Sequence, residues 1–386
     1  MQPVPPPLRR ARGAVALIFW TNGTLIASWV ARIPTIKEHL GLDEAQLGLA
    51  LFAIAVGALL AFPLTGILVA RYGSKPVTLV TGLTLCLVLP LIALAPSLLG
   101  LSLILGLFGA CHGSMDIAMN AHAAEVEKRY DRSIMASFHG LWSLGGLTGA
   151  GLGALLASQH LSPLAHFIGV SLFFALLLLW VIRYFLSDER SEAHHGPSFA
   201  RPNRALFGLG VIAFCGFLIE GAIADWGGVY LRDSIGTGAA FAAAGYAAFS
   251  LTMMVARLTG DVLITRFGGS RVLWWGGVAA TGGVVLALLT SEPVLILVFF
   301  AVVGLGMASV VPITFSLAAR DGSLPQATAI AAVATMGYSG FLVGPPIIGF
   351  LASWSSLRVA LSLLILLSLV IVVLSGRSTA RADARN

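Results

Sequence analysis

Twelve apolar runs, each long enough to cross a lipid bilayer, constrain this chain more than any other feature of its sequence. A helix rises 1.5 Å per residue, so about 20 residues cross roughly 30 Å of hydrocarbon. Runs of that length fall near 14–33, 45–70, 76–95, 98–124, 134–158 and 163–186, and again near 205–231, 240–266, 271–290, 293–318, 326–352 and 356–376. Only 10% of the residues are charged and 58% are hydrophobic, against about 25% charged and 45–50% apolar in soluble domains. Lipid is therefore the main solvent, and the pattern predicts an all-α membrane protein of twelve spanning helices. The 44 glycines and 17 prolines fit that solvent, because membrane helices tolerate both.

The longest polar stretch, 187–204, separates two sets of six helices. It predicts an N-terminal half over 1–186, a cytoplasmic linker over 187–204 and a C-terminal half over 205–386. Placing both termini in the cytoplasm puts eighteen Lys and Arg on that side, from Arg9, Arg10 and Arg12 to Arg377, Arg381 and Arg385. Only Arg32, Lys37, Arg232 and Arg358 then face outward, with Arg257 inside a helix. This is the positive-inside bias of a bacterial-type inner (plasma) membrane protein. The basic cluster before the first run resembles a signal-peptide start, but no small-residue cleavage site interrupts the run, so an uncleaved first helix is expected. The net charge of +6 is scattered singly between apolar segments, which does not make a nucleic-acid-binding face.

The halves repeat each other. Arg71-Tyr72-Gly73 recurs 195 residues on as Arg266-Phe267-Gly268, and the same offset carries Gly145, Gly149 and Ser158 to Gly340, Gly344 and Ser353. Duplicated six-helix halves are expected of a transporter that binds its solute between them.

Polar groups inside the runs are the candidate functional residues. A carboxylate at bilayer depth costs at least about 2.5–3.5 kcal/mol, so it normally faces a cavity and acts on ions or substrate. Asp116 shares one helical stripe with His112 and Asn120, at i−4 and i+4; the alternative is a polar cluster that only holds helices together. Glu220 lies near the middle of helix seven, with Asp225 about a turn and a half nearer the outside. Asp116, Glu220 and Asp225 are the candidates for proton coupling. Trp20, Trp29, Trp226 and Tyr338 offer stacking surfaces for a solute, or interfacial anchors. Glycine strings over 145–153 and 304–309 sit inside apolar spans with no preceding strand and predict close helix packing, not nucleotide binding. Gly344-Pro345-Pro346 predicts a break or kink in helix eleven. Cys86, Cys111 and Cys215 have neither disulfide nor zinc spacing and are expected in the core. No P-loop, metal-binding or nucleophile pattern is present, so neither a cofactor, a metal nor an enzyme is expected.

The segment GILVARYGSK (66–75) resembles the loop motif of the major facilitator superfamily, Gly-x-Leu-x-Asp-Arg-x-Gly-Arg-Lys, through Gly66, Arg71, Gly73 and Lys75. The motif's aspartate is Ala70 here, whereas the second copy offers Asp261 four residues after Arg257, at pairing distance on one helical face. The resemblance covers nearly the whole chain. Helices four and five are most similar to the fucose-permease branch of sugar:proton symporters, which carries an acid and, four residues on, an Asn, as Asp116 and Asn120 stand here. The resemblance implies sugar contacts at His139 and Trp142. The branch's acid on helix one has no match, and Asn22 is a polar substitute one to two turns earlier.

The resemblance implies a monomeric secondary active transporter working by alternating access, which couples protons to uptake of a small polar, sugar-like solute. Proton-driven export of amphipathic compounds or drugs is the alternative, and a transporter-derived sensor or receptor ranks below it. The linker reading has a direct check. A cysteine introduced as Ser198→Cys should escape an impermeant thiol reagent added outside intact cells, and efficient labelling there would invert the topology.

Overall fold

The computed structural model describes residues 5–130, 134–186, 204–321 and 326–383. Twelve helices among them are long and apolar enough to cross a membrane: Pro6–Leu40, Glu44–Tyr72, Ser74–Ile92, Leu98–Tyr130, Ser137–Ser158, Pro163–Tyr184, Arg204–Ser234, Ala239–Gly260, Gly269–Leu289, Pro293–Ala318, Ala332–Trp354 and Leu357–Ser375. The expected all-α chain of twelve spans is thus present, and the described residues contain no strand. The chain divides into two compact units, Met1–His194 with Gly238–Ala247, and His195–Thr237 with Ala248–Asn386. Of the expected linker only Arg204 lies among the described residues, where it opens the seventh span.

The duplication read from the sequence reappears in the packing. In the first unit the first span lies on the fifth, the second on the fourth, and the third on the fourth and sixth. In the second unit the seventh lies on the eleventh, and the ninth on the tenth and twelfth. The eighth meets the tenth where Thr252 Oγ1 donates to the Ala301 carbonyl at 2.7 Å. Lipid tails are as apolar as leucine, so such pairs gain little from hydrophobic burial and depend on close contact between small residues. Gly145 faces the Trp20 carbonyl, and a Cβ built on Gly149 would stand 2.8 Å from Ala27 Cβ and 2.9 Å from the Ser28 nitrogen. Their counterpart Gly340 meets the Phe214 carbonyl, and Gly344 packs on Leu218. Gly304 and Gly306 similarly abut the Phe249 and Gly276 carbonyls. The glycine strings are therefore packing surfaces, as expected.

Turns between spans follow local chemistry. Asp43 and Gln46 form a reciprocal capping box at 2.8 and 3.0 Å that starts the second span, satisfying two otherwise orphaned backbone donors. Gly73 at φ 88° and Gly268 at φ 81° make the two equivalent tight turns, a backbone region closed to most side chains.

The structure corrects two expectations and adds one interruption. The first helix begins at Pro6, so Arg9, Arg10 and Arg12 ride on its opening turns instead of preceding it. Of the break or kink expected at Pro345 and Pro346, the break is absent, for the helix runs uninterrupted from Gln326 to Trp354; membrane helices absorb a missing donor through their neighbours. The interruption falls in the tenth span, where helix Pro293–Met307 stops and Val310–Arg320 begins. Pro312 accounts for it, since its ring collides with the carbonyl four residues back, that of Ala308.

The glycine contacts give a paired test. Gly149→Ala should lower the melting temperature of the purified protein by several degrees, reflecting an overpacking cost of about 1–3 kcal/mol. Gly151→Ala, where an added Cβ meets nothing within 4 Å, should leave it unchanged or raise it slightly.

Candidate functional site

In the first unit, contact between the first and fifth spans brings Asn22 to Trp142, whose indole Nε1 donates to Asn22 Oδ1 at 2.9 Å. Asn22 is fully buried and its Nδ2 has no partner. One face of Asn22 is thus fixed while a donor remains available. His139 lies in the same neighbourhood, its exposed ring edge-on to Phe19 at 5.3 Å.

On the fourth span Asp116 is half-buried, about 27 Å from the helix start and about 21 Å from its end at 1.5 Å per residue. Asn120 Nδ2 donates to Asp116 Oδ1 at 3.2 Å and to the Asp116 carbonyl at 2.9 Å. No cation pairs with Asp116 among the described residues. His112, one turn away on the same stripe, stacks on Phe108, and its Nε2 is buried without a partner. The i−4, i+4 stripe therefore yields one hydrogen-bonded pair and one adjacent free imidazole nitrogen.

The second unit is built differently. Glu220, 8% exposed, meets Arg257 Nη2 of the eighth helix at 3.4 Å. That is longer than the 2.7–2.9 Å of a tight charge-assisted bond. Arg257 was expected to pair with Asp261; the Asp261 side chain lies outside the described residues. Asp225 is half-buried, about 7.5 Å further along the helix, with no partner among the described residues. Tyr338, 48% exposed, stacks on Phe217 at 4.8 Å. Trp29 and Trp226 are fully buried, with indole nitrogens unpartnered; neither is the surface anchor or open stacking face that the sequence suggested.

The family is decided by comparison. A model of the Major Facilitator Superfamily matches residues 14–323. The chain belongs to that superfamily. An uncharacterized MFS-type transporter of Yersinia pestis is 38% identical over 365 residues, covering 95% of this chain and 94% of that protein. Membrane protein MosC of Rhizobium meliloti is 33% identical over 370 residues, covering 94% of this chain and 88% of the relative. Among solved structures, that of the nucleoside transporter NupG superposes with a TM-score of 0.76 at 14% identity over 95% of this chain and 98% of that one; at that identity the likeness is one of fold. The protein is accordingly a multi-pass membrane transporter of small molecules and not an enzyme.

The major facilitator loop motif takes shape around its second glycine. Gly73 makes the turn, whereas Gly66 lies inside the helix with open space at its Cβ position. Arg71 stacks over Tyr72 at 5.2 Å and its counterpart Arg266 over Phe267 at 5.4 Å. Lys75 follows the turn in the first residues of the third span. Sequence reading missed His122, which is 1% exposed and ties this turn down. The Leu186 N–H donates to its Nε2 at 3.2 Å, Ser74 Oγ sits 2.8 Å from its Nδ1, and the ring stacks on Phe185. Because Nε2 accepts, Nδ1 carries the proton of the neutral ring and donates to Ser74. Also missed was Arg32, assigned to an outer loop but only 2% exposed, its Nε donating to His166 Nδ1 at 3.2 Å. The single local signal for either was a polar residue at the margin of an apolar run.

Breaking the Glu220–Arg257 pair tests whether it works as a unit. Arg257→Gln should lower the melting temperature more than the double variant with Glu220→Gln does, because the single change leaves the buried Glu220 charge without the cation beside it. The coupling expected from the cycle is about 0.5–3 kcal/mol, and additive single effects would dissolve the pair.

Proposed function

We propose that the protein is a proton-coupled symporter of the inner membrane, with both termini cytoplasmic. It takes up a small polar, sugar-like solute as a monomer whose halves, 1–186 and 205–386, are joined by the 187–204 linker. The observation that carries this reading is the difference between its buried acids. Glu220 has a cation beside it and Asp225 has no partner among the described residues, whereas Asp116 has the Asn120 amide and no cation. An acid at that depth without a counter-cation is most economically accommodated as the protonated form. It can give up its proton when solvent reaches it, which is what a coupling group must do. Asn120 can serve both states, donating from Nδ2 to a carboxylate and accepting from a carboxylic acid through Oδ1.

The fixed Asn22–Trp142 pair supports a polar solute. It holds a flat indole face beside a buried amide whose Nδ2 lacks a partner, and aromatic faces with directional donors suit hydroxylated rings. His112 and His139 add further polar edges in the same unit. In the proposed cycle protonated Asp116 favours the outward-open, solute-binding state. Release of the proton to the cytosol resets the carrier once the solute has left.

Asp116→Asn should abolish accumulation against a gradient while sparing counterflow exchange, since exchange needs no net proton movement. A variant that still accumulates solute with the pH response of the parent would transfer the coupling role to Glu220 or Asp225. The solute class is open to a thermal-shift screen, because a ligand that binds only the folded state raises its stability by mass action. Sugars or sugar acids should raise the melting temperature. Stabilisation by amphipathic drugs alone would overturn uptake in favour of export.

A further inference from the structure

Within the first unit, a groove of about 460 Å³ lies between the first and sixth spans, with no acid in its lining, which includes Arg10, Gly13, Ala14, Leu17, Trp180 and Tyr184. Its floor and its rim have opposite chemistry. The floor is apolar and narrowed by no side chain at Gly13, where a Cβ would meet nothing within 4 Å. One cation, Arg10, lines the groove, and a second, Arg183, neighbours it through two rings of the lining. Arg10 is exposed, and Arg183, also exposed, holds its guanidinium 5.3 Å from the Trp180 ring centre and 5.0 Å from that of Tyr184. Neither arginine makes an ion pair among the described residues.

Position along the chain fixes the depth. Arg9, Arg10 and Arg12 immediately precede the apolar run that opens at Gly13, and Arg183 directly follows the apolar run ending at Ile182. The groove therefore straddles the boundary between hydrocarbon and headgroups, where Trp and Tyr concentrate in membrane proteins.

We infer that this groove is a binding site for one anionic phospholipid, its phosphate between Arg10 and Arg183 and an acyl chain along Gly13, Ala14 and Leu17. Each part of the site answers to a part of that molecule. A soluble phosphate would satisfy the arginines but has no use for an apolar floor. An apolar helix would fill the floor but leave two cations desolvated without counter-charge, which is costly. A zwitterionic lipid would bring its own cation to a groove that already has two beside it. Basic pockets between helices at the membrane surface select anionic headgroups at about 1 kcal/mol per basic residue. The stacking of Arg183 on Trp180 and Tyr184 holds its charge beside two rings of the groove lining, as cation–π contacts do.

The test is native mass spectrometry of the full chain purified in detergent, titrated with phosphatidylglycerol or with phosphatidylcholine of the same acyl chains. Brominated acyl chains report contact with Trp180, taken as the quenching lost on Trp180→Phe. The parent protein should retain phosphatidylglycerol preferentially and show that quenching. Arg10→Gln with Arg183→Gln should weaken retention about five-fold per arginine and bring it to the phosphatidylcholine level. Gly13→Phe keeps both charges and starts from a position where an added Cβ meets nothing within 4 Å, so it remains decisive where the arginine variants fold poorly; with an unchanged melting temperature it should expel the lipid and abolish the Trp180 quenching. Equal retention of the two lipids by the parent, undiminished retention by Gly13→Phe, or displacement of phosphatidylglycerol by millimolar inorganic phosphate would each overturn the assignment.

Discussion

Backbone-to-backbone approach at glycine is the contact on which each of the two compact units depends. In hydrocarbon, helices cannot be driven together by expelling water, and what remains is dispersion, hydrogen bonding and the shape that permits both. Gly145 and Gly149 let the fifth span lie against the Trp20 and Thr24 carbonyls of the first. Gly57 and Gly109 do the same for the second and fourth spans, against the Gly106 and Ile54 carbonyls. The hydroxyls add to this by turning inward to their own helices. Thr24 donates to the Trp20 carbonyl and Ser28 to that of Thr24, both at 2.8 Å, so they leave no polar group in search of lipid.

The polar groups of the first unit inherit their places from these contacts. Asn22 and Trp142 are 120 residues apart, and they meet because Gly23 and Gly145 let their helices touch one residue and three residues away. Thr65 and Ser114, 2.7 Å apart, similarly join the second span to the fourth two residues before Asp116. The site is thus held by helix surfaces rather than by loops, and small displacements of one helix would be felt at its polar groups.

What the sequence disclosed and what it withheld divide along a physical line. Spans and tight turns are local properties: hydropathy over twenty residues marks a helix, and Gly73 and Gly268 mark turns because few other residues accept positive φ. The polar residues at depth were legible for the same reason, since each stands out against its own apolar run. Their partners were not. Glu220 and Arg257 lie on different helices 37 residues apart, and Arg32 and His166 are 134 apart, so no spacing rule reaches them. Proline gave a mixed signal. Pro312 ends a helix while Pro345 and Pro346 do not, because the outcome depends on what neighbouring helices supply, which composition does not encode.

The two units share a scaffold but not a charge pattern. Glu220 has Arg257 beside it, whereas Asp116, like Asp225 in the second unit, has no counter-cation among the described residues, and Asp116 without its proton is a negative charge near mid-membrane. Displacing a unit charge through the full membrane field is worth about 2.3 kcal/mol per 100 mV. On the proposed cycle, the loaded and neutral carrier would turn over with little regard to membrane potential, while the empty, deprotonated carrier would move against or with it. The gain and loss of a proton at Asp116 would then make the return step, and not the solute-bearing one, the place where cellular voltage acts on the rate.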